Sequence, residues 1–137
     1  MIRQAQAQDV EAVWMLAKDF ATSFAVDETA FRATFAKVLC DSSTRLTVAE
    51  VQNTIVGYVL AFSHDTFYAN GRVTWIEEIA VDVEYRRQGI GKLLIKNIED
   101  WAACHNCKLI ALATRRAANF YEAIGYESSA TYFRKVI

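Results

Sequence analysis

A chain of 137 residues, 53% apolar and 23% charged, reads as one globular domain over residues 1–137, large enough to bury a core without disulfides or metal. Fifteen basic side chains nearly offset sixteen acidic ones, and a net charge of −1 gives no support to nucleic-acid binding driven by phosphate neutralisation. No apolar stretch approaches the roughly 20 residues that cross a bilayer, and the first residues lack the apolar run of a signal peptide, so no membrane partner and a cytoplasmic location are expected.

In chain order, a short strand is expected at residues 2–4. Asp9 suits an N-cap, and Val10, Val13, Trp14, Ala17 and Phe20 recur after it at helical spacing. Asp27 is a second N-cap candidate, with Phe31, Phe35, Val38 and Leu39 on one face of the helix it would start. At Arg45 the period changes to two: Leu46 and Val48 lead to a break at Gln52-Asn53, and residues 55–62 follow as the second arm of a hairpin. Asn70-Gly71 is a strong turn signal before a strand over residues 75–83. Ile90, Leu93, Leu94, Ile98 and Trp101 trace a helix face, and residues 109–112 suit a buried strand. Ala117, Phe120, Tyr121 and Ile124 give a further helix closed by Gly125 at C′, and residues 131–137 are expected to finish as a strand. The order β-α-α-β-β-β-α-β-α-β has no repeat or linker. It defines an α/β (α+β) fold with a mixed central sheet of about six to seven strands and helices on both faces.

Cys40, Cys104 and Cys107 are an odd number, which fits a reducing compartment. Cys104 and Cys107 form C-x-x-C at a helix end, the wrong pole for activating a thiolate. Zinc wants four ligands, and only a distant His64 would join Cys104, His105 and Cys107. All three cysteines therefore read as small, partly buried residues, and no metal is expected.

The segment Arg86-Arg87-Gln88-Gly89-Ile90-Gly91 separates a strand from a helix. Glycines let the backbone approach a ligand, and the helix start directs unpaired N–H groups and a positive dipole end into the same space. With Arg86, Arg87 and Lys92 adding charge, this suits a phosphorylated ligand. It is neither G-x-G-x-x-G nor G-x-x-x-x-G-K-[ST], so neither a dinucleotide fold nor a P-loop is indicated. On the preceding strand the odd positions read Trp75, Glu77, Ile79, Val81, Val83: one carboxylate in an apolar row. A carboxylate facing a core is costly, so Glu77 is expected to face a cleft, where partial burial would suit it to accept a proton. The alternatives are a carboxylate that only attracts a cation, or a buried salt bridge. Glu78 alternates to the other face, although a bulge would exchange the two.

Two motifs then point to one family. Arg86, Gly89 and Gly91 meet [RQ]-x-x-G-x-[GA], and Ala117, Phe120, Tyr121, Gly125 and Tyr126 meet A-x-x-[FL]-Y-x-x-x-G-[FY]. In these motifs and in element order the chain resembles the GNAT superfamily of acetyl-coenzyme A-dependent N-acetyltransferases. The resemblance implies that backbone groups of Arg87, Gln88, Gly89, Ile90, Gly91 and Lys92 cradle the pyrophosphate of acetyl-coenzyme A. Main-chain groups of Ile79, Ala80 and Val81 would pair with the pantetheine arm, at an edge opened by splaying from the strand at 109–112. It further implies direct attack of an amine on the thioester, with Glu77 as general base and Tyr121 as general acid toward the departing thiolate. The usual asparagine seven residues before the tyrosine is replaced by Thr114, which also suits an N-cap; Asn119 is a substitute contact, and Arg115 and Arg116 are candidates for the 3′-phosphate.

The expected reaction is N-acetylation of a primary amine of a small molecule, amino acid or peptide. Trp14, Phe24, Phe31, His64, Phe67, Tyr68, Tyr132 and Phe133 are the aromatic set available to the acceptor, and no acidic run is visible to receive a basic protein tail. A non-catalytic acetyl-coenzyme A sensor and a phosphoryl-ligand domain of another kind are the alternatives, and a homodimer is left open.

Overall fold

Two tight turns set the register of the sheet in the computed structural model, which describes residues 1–21 and 24–137. Gln52 and Asn53 both take left-handed conformations, with φ of 49° and 64°. They join β2 (Thr44–Val51) to β3 (Thr54–Thr66) with the twist that antiparallel strands favour. Asn70, with φ of 61°, leads through Gly71 into β4 (Gly71–Val81). The remaining strands are β1 (Ile2–Gln4) and β5 (Leu109–Leu112). The sheet runs β1-β2-β3-β4-β5, antiparallel throughout except for the parallel pair β4–β5.

Helices cover both faces, as the pattern predicts. On one side α1 (Val10–Phe20) and α2 (Glu28–Cys40) bury Val13, Ala17 and Phe35 against Leu46, Val48 and Tyr58. On the other, α3 (Ile90–Cys104) and α4 (Ala118–Ala123) bury Leu94, Ile95, Ile98 and Tyr121 against Ala49, Val59, Ala61 and Ile76. Leu94 and Ile98 have no exposed surface, so truncating either to alanine removes about 2–5 kcal/mol of stability. No described helix is long and apolar enough to cross a membrane.

Asp27 caps α2, its carboxylate accepting the Ala30 N–H at 2.7 Å. Asp9 does not cap α1. It ends a 3₁₀ turn (Ala7–Asp9), accepts the Gln6 N–H at 2.7 Å, and takes both terminal nitrogens of Arg3 at 2.8 and 2.9 Å. The guanidinium bonds hold the Asp9 carboxyl below the usual carboxylate range against the opposing effect of burial. A cap needs a free carboxylate, and the neighbouring strand supplied a stronger partner.

The sheet has five strands, not six to seven, and the tenth element of the expected order is absent. Residues 131–137 form no strand; Phe133, Val136 and Ile137 are exposed. Apolar periodicity states which face a strand would bury, but a strand also needs a partner edge, and β5 offers only four residues.

Candidate active site

The opening in the sheet follows from where pairing stops. β5 accompanies β4 from Val73↔Leu109 to Ile76↔Leu112 and no further. Beyond Ile76, β4 continues through Ile79, Ala80 and Val81 with a neighbour on the β3 side only. The edge expected to receive an extended arm is therefore present, and its residues are half-buried.

At the end of β4 the chain makes a 3₁₀ turn (Val83–Tyr85), capped by Asp82 accepting the Glu84 N–H at 2.9 Å, and reaches the glycine loop. Arg87 and Gly89 are left-handed, with φ of 64° and 81°, and α3 begins at Ile90. The first helical bond in the loop is Leu93 N–H to Gly89 O at 3.1 Å. Among the described residues, the six consecutive amides of Arg87, Gln88, Gly89, Ile90, Gly91 and Lys92 donate to no protein acceptor. A run of free amides at the positive end of a fifteen-residue helix is an anion cradle. Arg87 and Lys92 are exposed beside it, and α3 has no acidic residue in its first turn. Arg86 turns the other way: its Nε donates to Val81 O at 3.1 Å, tying the loop to the strand.

α4 closes the far wall. A Cβ on Gly91 would lie 3.6 Å from the Phe120 ring, so the two helices approach closely there. An open groove of about 850 Å³ runs along them, lined by Gln88, Gly89, Lys92, Lys96, Ile124 and Gly125. Tyr121 is 7% exposed and packs edge-on against Phe120 and Tyr126, at centroid distances of 5.0 and 5.8 Å. Its hydroxyl has no protein hydrogen-bond partner and is not sealed from solvent. Burial pushes the phenol up from its ordinary value, keeping it protonated and able to donate at neutral pH. Tyr126, raised by burial and by donation to Glu99 at 2.9 Å, is already engaged. Thr114 accepts the Ala117 N–H at 3.0 Å and so caps the turn into α4; Asn119, Arg115 and Arg116 are exposed.

The carboxylates depart from the expected alternation. Leu60 pairs with Glu78 and Ala61 with Ile76, so Glu77 is the extra residue of a β-bulge. The apolar row is thereby broken: Ile79 and Val81 pack toward α3, whereas Ala80 belongs to the α1–α2 side. Glu77 is exposed rather than partly buried, and its Oε2 accepts the Trp75 indole N–H at 2.8 Å. Glu78 is half-buried, and its Oε1 accepts the Tyr58 hydroxyl at 2.8 Å. Both sit where β5 leaves β4. Tyr58 was not visible as a site residue, because an aromatic in an apolar strand reads as core. The stack of Trp75 on Tyr132, with centroids 6.5 Å apart, joins residues 57 positions apart in sequence that no local pattern links.

The expected acceptor aromatics do not converge. Trp14 and Phe31 pack together at 5.4 Å between α1 and α2, while Phe24, Phe67, Tyr68 and Phe133 are exposed. Cys107 accepts the Thr74 hydroxyl at 3.2 Å, and Cys40 and Cys104 are exposed, without a disulfide. Among the described residues no group of three His, Cys, Asp or Glu side chains is arranged to hold a metal ion.

The same fold recurs in solved structures. A glucosamine-6-phosphate N-acetyltransferase from Arabidopsis thaliana superposes with a TM-score of 0.87 over 99% of this chain and 97% of its own, at 20% identity. An aminoglycoside N-acetyltransferase in complex with coenzyme A gives 0.86 over 98% and 93%, at 22% identity. In sequence, the thialysine N-epsilon-acetyltransferase of Bos taurus is 40% identical over 76 residues, and that of Mus musculus 36%. Those matches span 52% of this chain and 44% of each relative. The sequence model of the acetyltransferase (GNAT) family matches residues 10–126, so the chain belongs to that family.

Proposed function

We propose that this chain is an N-acetyltransferase that moves the acetyl group of acetyl-coenzyme A directly onto a primary amine of a small molecule, amino acid or peptide. The observation that carries the reading is the run of six free amides at residues 87–92, directly beyond the unpaired edge of β4. Hydrogen bonds to a charged diphosphate contribute about 1.5–3 kcal/mol each, so part of the run suffices to hold it. Ile79, Ala80 and Val81 then offer main-chain groups to the pantetheine arm as a strand would. Thr114 and Asn119, both exposed, are the side chains offered to the arm, and Arg86 fixes the loop through its bond to Val81 O.

In the proposed reaction Glu77, exposed at the bulge, accepts the proton of the ammonium, directly or through water, and frees the amine to attack the acetyl carbonyl. Tyr121 donates its phenolic proton to the departing sulfur, and the nitrogen gives up its second proton through water to restore the phenol as the amide forms; burial keeps the phenol protonated until the thiolate develops nearby. The amine class is supported by the relatives' named substrate, a lysine analogue acetylated at its side-chain nitrogen.

The test is calorimetry with acetyl-coenzyme A and coenzyme A, followed by thiol release over a panel of monoamines, diamines, amino acids and peptides. Binding followed by acetyl transfer to at least one amine is expected. Binding without transfer to any amine would favour a sensing module, and absence of binding would remove the assignment.

A further inference from the structure

Tyr58 is a fully buried tyrosine whose hydroxyl is spent on a carboxylate at the site. Its ring is 2% exposed, enclosed by Val13, Phe35, Leu46 and Val48, so its oxygen has one place to be. It lies on β3 opposite Ala80, and the bulge at Glu77 brings Glu78 to its diagonal, giving the 2.8 Å bond to Oε1. Without the extra residue Glu78 would lie on the opposite face. A carboxylate that accepts a bond from a buried phenol is held in one orientation, with one of its oxygens already engaged. Glu78 forms no salt bridge with any described residue, and its Oε2 accepts no protein hydrogen bond. A fixed carboxylate with no cationic partner among the described residues, at the mouth of a thioester site, is an anchor for a cation. Glu77, exposed and accepting the Trp75 indole N–H, is the carboxylate left for proton transfer.

We infer that Tyr58 is a positioning residue that holds Glu78 as the anchor for the acceptor's positive charge, which separates charge recognition at Glu78 from proton transfer at Glu77. The inference rests on the proposed acetyltransferase activity and assigns the two adjacent carboxylates different work. It also defines the preferred acceptor: an amine that carries a further cationic group to occupy Glu78 while the reacting nitrogen faces the thioester.

The experiment compares Tyr58→Phe, Glu78→Gln and the unaltered protein in steady-state acetylation of a diamine and of a monoamine of equal length. Tyr58→Phe is expected to raise KM for the diamine about tenfold, the loss of one hydrogen bond to a charged group, and Glu78→Gln more. KM for acetyl-coenzyme A, and for the monoamine, should stay within about twofold of the unaltered values. A merely structural tyrosine would lower the melting temperature and the active fraction without moving one amine's KM. Equal changes for diamine and monoamine, or an unchanged diamine KM in Tyr58→Phe, overturn the inference while leaving acetyl transfer intact. If the unaltered protein acetylates no amine, the underlying activity fails first, and this assignment with it.

Discussion

Replacing Gly89 by alanine separates the cost of a backbone conformation from the obstruction of a ligand. Gly89 has φ of 81°, and among the described residues no atom beyond its chain neighbours lies within 4 Å of a Cβ built there. In the free protein the only penalty is therefore conformational, about 1–2 kcal/mol for an L-residue held left-handed. At about 4 °C per kcal/mol for a domain of this size, the melting temperature should fall by about 4–8 °C. The new methyl group projects into the space served by the free amides. Losing one charge-assisted hydrogen bond there costs about 1.5–3 kcal/mol, so the Kd for acetyl-coenzyme A should rise about tenfold to a hundredfold. Calorimetry well below the variant's melting temperature reads the second quantity without the first. Gly71→Ala is the comparison: φ is 146°, a Cβ there would lie 3.6 Å from the Lys108 side chain, and the residue starts β4 at the end opposite the amide run. It should lose similar thermal stability and keep its Kd. A Gly89 variant with a lowered melting temperature and an unchanged Kd would refute the cradle.

Tyr121→Phe should lower kcat by about a hundredfold or more while leaving the Kd for acetyl-coenzyme A within a small factor; single-turnover rates at saturation check this, and an unaltered rate removes the phenol as proton donor. Glu77→Gln should lower kcat by about a hundredfold with saturating acetyl-coenzyme A; an unchanged rate would point to another base. Asp9→Asn should cost about 3 kcal/mol by leaving Arg3 without its buried partner, measured by urea unfolding. Because the bond from Arg3 lowers the Asp9 carboxyl in the folded state, its stabilisation is present above about pH 4 and lost as pH falls through the folded value. The variant should therefore lose less stability than the unaltered protein on acidification, and parallel acid limbs would contradict the assignment.

Much of the fold was legible because its signals are short-ranged. Gln52-Asn53 and Asn70-Gly71 took the left-handed conformations that their short polar side chains and missing Cβ permit. Leu94 and Ile98 fell on the buried side of α3 because helical spacing puts positions four apart on one face. Asp27 capped its helix, where nothing else claimed its carboxylate. Asp9 is the counter-example, since Arg3, six residues earlier on β1, takes both oxygens of its carboxylate.

Residue order by itself determined the turns, most positions of the helical faces and the glycine loop, each governed by atoms a few positions apart along the chain, whereas Leu93 and Phe20, expected on buried faces, are exposed. It also carried the family, through two motifs whose spacing is local. Only the tertiary structure decided that β5 leaves β4 after Ile76, that residues 131–137 form no strand, and that one extra residue turns Glu78 toward Tyr58. Strand register and bulges are settled by the packing of two or three distant segments at once. A one-residue shift costs little in local conformation yet reverses which face each side chain meets.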